Sequence, residues 1–157
     1  MDILNPDGFF VAFPRLDRTI EPKSPDTPTY NCIAFALGFE NKPWWPPVET
    51  DTYWPAGCPR EETVPAFEAA FATLGYKPCS HERLESDYEK IALFTNENEP
   101  THAARQLSNG VWVSKCGRNV DIEHKLRDLE GPVYGKVTMF FRRPIKLHNS
   151  QFQPLAS

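Results

Sequence analysis

Residues 101–116 read THAARQLSNGVWVSKC. Asn109-Gly110 is a strong tight-turn signal, and the short runs on either side, 101–107 and 111–115, predict the two arms of an antiparallel hairpin. Loop length then decides which side chains share a face. A three-residue loop at Ser108-Asn109-Gly110 sets Ala104 opposite Ser114 and puts Ser114 on the face of His102. A two-residue Asn-Gly turn puts Lys115 there instead, because a slip of one residue reverses every side chain.

Working outward from the hairpin, Ile91-Ala92-Leu93-Phe94 is a buried-strand run, and 133–143, with Val137, Met139 and Phe141 alternating, closes the sheet. Between them Asp121 is placed to cap a short helix running through Leu126 and Leu129 to Gly131. Upstream the pattern is helical. Ile33 to Leu37 is an apolar cluster stopped by Gly38, which predicts a short helix over 29–37. Val64, Phe67, Phe71 and Leu74 recur at helical spacing, with acids in the first turn, Pro65 near the start and Gly75 just past the end, which predicts a helix over 61–74. Helices first and antiparallel strands after them make an α+β protein.

The chain has 157 residues, enough for one domain with a core of its own, and the reading is a single domain over 1–157. It divides into a Pro-rich segment 1–28, a core 29–143 and a tail 144–157. The 16 prolines are roughly twice ordinary usage and crowd the first part, where they fix turn-rich loop. Net charge is −4 with no basic cluster, so nucleic acid is not an expected partner. No span is long and apolar enough for a membrane helix. The opening MDILNPDGFFVAFPRLD does not read as a secretion signal, so the expected setting is cytoplasmic, or export by a route that needs no signal peptide. Cys32, Cys58, Cys79 and Cys116 are then expected as free thiols. Their spacing matches no common zinc set, and neither metal nor cofactor is expected.

Cys32 falls in the first turn of the first helix, beside unpaired backbone N–H groups that favour thiolate and can bind an oxyanion. Its base would be His102, at the mouth of a strand. The alternative for the thiol is a small buried residue. Trp44, Trp45, Tyr53 and Trp54, in an aromatic and proline-rich loop, either line a substrate groove or pack that loop onto the body.

The helix-start cysteine, the strand over 91–94, and NCIAFALG followed by HAARQLSNGVWVSKCG resemble the papain-like cysteine hydrolases, above all the compact NlpC-type and CHAP-type amidases and peptidases. The likeness spans roughly residues 30–141, and the same stretches also look like an uncharacterised bacterial domain family. The resemblance implies a papain-like fold, N-terminal helices packed on an antiparallel sheet, and a thiol hydrolase acting on a peptide or amide bond. In it Cys32 is the nucleophile and His102 the general base and acid. Ser114 stands where the imidazole-orienting residue belongs, with Asp121 as second candidate. Asn31, with Tyr30 beside it, would serve the oxyanion or substrate. Acyl transfer and deamidation use the same parts. The alternative is a catalytically inactive scaffold that binds a peptide or partner protein through the Trp/Pro-rich loop.

Overall fold

The computed structural model describes residues 12–16, 29–116 and 121–145. The rest of the Pro-rich segment 1–28 and the tail from 146 lie outside the described residues.

Helix α1 (Cys32–Leu37) starts where Asn31 accepts a hydrogen bond from the Ala34 N–H and ends at Gly38, whose φ of 92° is the left-handed stop a glycine permits. A short 3₁₀ turn (Val48–Thr50) lies in the loop before helix α2 (Val64–Ala72), which Thr63 caps through the Ala66 N–H. Six strands follow: β1 (Lys77–Cys79), β2 (Tyr88–Asn96), β3 (Glu99–Gln106), β4 (Trp112–Lys115), β5 (Asp121–His124) and β6 (Lys136–Pro144). They form one sheet in the order β1-β6-β2-β3-β4-β5, with every pairing antiparallel. The class is α+β, as the order of patterns predicts.

Arg105 pairs with Val113 and Gln106 with Trp112, the register of the three-residue loop. Ala104 therefore falls opposite Ser114. Asp121 does not cap a helix. It opens edge strand β5, and Leu126 and Leu129 are buried instead by a 3₁₀ turn (Leu126–Leu129). Leu126 and Leu129 are three residues apart, a spacing that a helical reading also accommodates.

The sheet has two covered faces. On one, Ile91, Leu93, Ala103, Val113 and Phe141 pack under α1, Phe67 and Phe71 of α2, and Trp44 and Trp54. On the other, Ala92, Phe94, Ala104, Trp112 and Ile122 pack under Phe13, Leu126, Leu129 and Tyr134. Every strand residue thus belongs to one side or the other. Among the described residues no helix is long and apolar enough to cross a membrane.

Candidate functional site

Asn31 uses both ends of its side-chain amide. Its Oδ1 accepts from the N–H of Ala34 and of Trp44, both at 3.0 Å, and its Nδ2 donates to the Trp44 carbonyl at 2.7 Å. The amide caps α1 and straps the aromatic loop to it. Asn31→Ala is expected to lower the unfolding free energy by about 2 kcal/mol, one part lost cap and one part stranded Trp44 backbone groups. Urea unfolding measures it, and a loss within 0.5 kcal/mol of zero, roughly the scatter of a surface substitution, rules the strap out.

Cys32 is buried at the first position of α1. Its Sγ lies 4.0 Å from the Thr101 carbonyl. Burial pushes the thiol up to about 11, against the pull of the Ala103, Ile33 and Cys32 backbone N–H groups and of Lys115. The sulfur thus meets the backbone of β3 beyond the last residues that pair with β4. Burial outweighs the helix start here.

His102 projects from the other face. Its ring stacks on Tyr134 with centroids 4.0 Å apart and 11° between planes, and meets Phe94 edge-on at 5.1 Å. Its neighbours Thr101 and Ala103 are the residues that face Cys32, so strand β3 itself stands between thiol and imidazole. Neither ring nitrogen has a hydrogen-bond partner among the described residues. Burial, and then the field of His124, lowers its pKa well below the ordinary histidine value. The expected Cys32–His102 pair is not formed.

Ser114 does lie on the face of His102, but its hydroxyl is 2.7 Å from Nε2 of His124, whose Nδ1 is 2.7 Å from the Lys125 carbonyl. A neutral imidazole fits both: Nδ1–H donates to the carbonyl and Nε2 accepts from the hydroxyl. Burial lowers the His124 pKa to about 4 despite the Lys125 carbonyl and Asp128. Ser114 is fully buried in this pair. Asp121 is on the opposite face, 3.3 Å from the Tyr30 hydroxyl, and orients neither histidine. Tyr30 itself is buried, stacked on Phe35, with the Lys115 ammonium over its ring.

The aromatic loop is core. Trp44 and Trp54 are buried, and Trp54 and Trp45 meet the Phe67 ring at 5.0 and 5.4 Å. Trp45 is half-buried, and its Nε1 donates to Glu62. The four cysteines are free. No group of three or more His, Cys, Asp or Glu able to hold a metal occurs among the described residues.

What the sequence reading missed is a cleft of about 560 Å³ at the C-terminal end of α1, bounded by Gly38, Tyr76, Glu89, Arg105, Gln106 and Arg143. Volumes of this order hold small ligands. Arg143 donates through Nε to Glu89 and through Nη1 to the Leu74 carbonyl, and lies over the Tyr76 ring. Arg105 lies over Phe35 at 4.8 Å, and burial lowers its pKa against the fields of Tyr76, Glu40, Glu89 and Asp121. Glu85, also on the cleft wall, is engaged by Lys90 at 2.7 Å and Arg142 at 2.6 Å, which lower its pKa. One signal was available. The hairpin register puts Arg105 on the face of Ala103 and Val113, and a charge pointing into a covered sheet face marks a polar site.

An α+β domain with a six-stranded antiparallel sheet and a charged cleft at the end of its first helix is the class that fold and site define. Residues 21–142 match the model of a family described as a domain of unknown function, DUF7689, and the chain belongs to that family. No curated protein and no solved structure matches the chain.

Proposed function

We propose that this protein is a non-catalytic binding module on a papain-like scaffold, with its ligand seated in the cleft between Gly38, Arg105 and Arg143. A cysteine-bearing helix ahead of an antiparallel sheet that carries a histidine strand is what supports the scaffold reading. The observation that carries the function is a separation. The cleft of about 560 Å³ is lined by neither Cys32 nor His102, while the thiol and the imidazole lie on opposite faces of the sheet. A thiol hydrolase needs its base within hydrogen-bond reach of the sulfur and the sulfur within reach of substrate. The Trp/Pro-rich loop supports the module from within, as core, and the recognition surface moves to the cleft.

Alkylation tests the non-catalytic half. A thiol raised to about 11 from an ordinary 9.0 holds about 100-fold less thiolate near neutral pH. With iodoacetamide, followed by mass spectrometry, the half-buried Cys58 and Cys79 are expected to react first, with Cys32 and Cys116 far behind and His102→Ala leaving the Cys32 rate where it was in any fraction that stays folded. A Cys32 that reacts fastest of the four, and loses that advantage in His102→Ala, restores the hydrolase.

A further inference from the structure

The loop over 80–87, between β1 and β2, has no regular secondary structure, yet side chains from three strands hold it. Lys90 of β2 is fully buried, and its ammonium donates to the His81 carbonyl at 3.1 Å and the Arg83 carbonyl at 2.6 Å and pairs with Glu85 at 2.7 Å. Gln106 of β3 donates to the Glu82 carbonyl at 3.1 Å, and Arg142 of β6 meets Glu85 at 2.6 Å. From the 3₁₀ turn, Arg127 holds the Glu82 carboxylate at 2.6 Å. The loop so fixed presents Leu84, 47% exposed, and with Glu85 and Ser86 forms one wall of the cleft.

His81 completes the arrangement. Its Nδ1 lies 3.2 Å from the Lys90 ammonium and accepts from the Arg83 N–H, also at 3.2 Å. An ammonium and a peptide N–H are donors with no lone pair to offer. Nδ1 must therefore be bare and the ring neutral, with its one proton on Nε2. A proton at Nδ1 would set this nitrogen against two donors at once. Glu85 is the group that would favour it, with Oε2 3.8 Å from Nε2, but Lys90 and Arg142 already occupy both oxygens of that carboxylate. Burial, then the fields of Lys90, Arg83 and Arg142, lower the His81 pKa against the pull of Glu85. At the end of β1 the Cys79 thiol faces the His81 carbonyl at 3.8 Å. Unlike His102 and His124, the His81 side chain is 28% exposed, so solvent protons reach it without the fold opening.

We infer that His81 is a proton-sensitive latch: neutral, its Nδ1 holds the loop over 80–87 against Lys90, and a proton on that nitrogen releases the loop and with it the cleft wall at Leu84 and Glu85. Release frees the Arg83 N–H and sets the imidazolium beside the ammonium, so Lys90 loses its grip on the loop carbonyls. The latch belongs to the loop and stands apart from whether the cleft binds a ligand.

NMR of the intact protein tests it in two readings. At pH 7.5, long-range ¹H–¹⁵N correlations distinguish the imidazole tautomers, and a bare Nδ1 with Nε2–H is expected for His81. The Nδ1–H tautomer overturns the latch, and this reading needs no variant. The second reading is amide exchange over 82–86, corrected for the intrinsic pH dependence of exchange and followed as the His81 ring titrates. It is expected to quicken about 10-fold, the worth of one hydrogen bond in a local opening equilibrium, while the amides of Ile91 to Phe94 stay protected. His81→Asn places a side-chain carbonyl where Nδ1 stood, takes up no proton in this range and leaves His102 and His124 in place, so it is expected to abolish the quickening. His81→Ala, with no acceptor, is expected to exchange fast at both ends of the titration. Loop amides that quicken only together with those of 91–94, that stay protected when His81 is protonated, or that quicken equally in His81→Asn overturn the inference.

Discussion

Gly135→Ala is expected to lower the unfolding free energy by about 2 to 4 kcal/mol, roughly 4 to 16 °C in Tm for a chain of this size. Two separate causes add. Gly135 has φ of +77°, where a side chain costs about 1 kcal/mol. A Cβ built there stands 2.0 Å from the Thr95 carbonyl oxygen, 2.8 Å from its carbon and 2.9 Å from the Asn96 Cα. These are backbone atoms of β2, so relief requires the strand to move, and overpacking of this kind costs about 1 to 3 kcal/mol. Strand β2 is already irregular at this point, where its register shifts against both β3 and β6. The turn is held by paired backbone bonds between Gly131 and Gly135, at 2.9 and 3.0 Å, and by the Thr101 hydroxyl on the Tyr134 carbonyl at 2.6 Å. Moving it lifts Tyr134 from His102. Gly75→Ala is the control: its φ is +92° but nothing lies within 4 Å of the added Cβ, so only the conformational share of about 1 kcal/mol is expected. Equal losses in the two variants, read from urea unfolding at neutral pH, would mean that the Thr95 contact does not constrain the fold.

The contrast between these two glycines bears on what was legible in the sequence. Local rules identified the Gly38 stop, a second helix with Pro65 near its start, the strand through Ile91 to Phe94 and the existence of the 101–115 hairpin, because each signal sits within a few residues of its effect, while the hairpin's register stayed open between two loop lengths. The two short strands were missed for the same reason. Lys77–Cys79 offers three residues, and Asp121–His124 sits ahead of a Leu126/Leu129 spacing that reads as a helical face. The facing of His102 relative to α1 had no local signal at all. Strand β3 carries Ala103 on one face and Ala104 on the other, so both sides accept a packed layer and nothing in its residues says which receives the helix. A helix-start cysteine and a strand histidine in family order are therefore compatible with two arrangements, one of which separates them. The cleft was hidden because Arg105, Gln106, Glu89 and Arg143, taken singly, resemble any strand's solvent-facing charges. Only the hairpin register turns Arg105 inward.

Acid is expected to destabilise the protein well before its carboxylates protonate. His102 and His124 are buried on the same face of the sheet, each with its pKa lowered, first by burial. The unfolded chain binds protons at these histidines below about pH 6.5 while the folded chain does not, so stability is full above 6.5 and is lost as pH falls. For His124, with a folded pKa of about 4, the loss between pH 7 and pH 5 is about 2 kcal/mol. His102 adds a loss of the same sign, and its ring has no partner for a proton on either nitrogen among the described residues. Glu85, whose pKa is lowered by Lys90 and Arg142, withdraws its share only below the ordinary carboxylate range, so pH 5 to 7 isolates the histidines. His81 is partly exposed and shifted in the same direction by burial and Lys90, and His81→Gln removes it as a contributor. Urea unfolding at pH 7.0, 6.0 and 5.0 reads the slope, and His102→Phe, which keeps a ring against Tyr134, is expected to flatten it whatever its effect on absolute stability. A slope unchanged in His102→Phe would mean that this imidazole takes up its proton in the folded state as readily as in the unfolded one. That would place the ring within reach of solvent and reopen its path to Cys32.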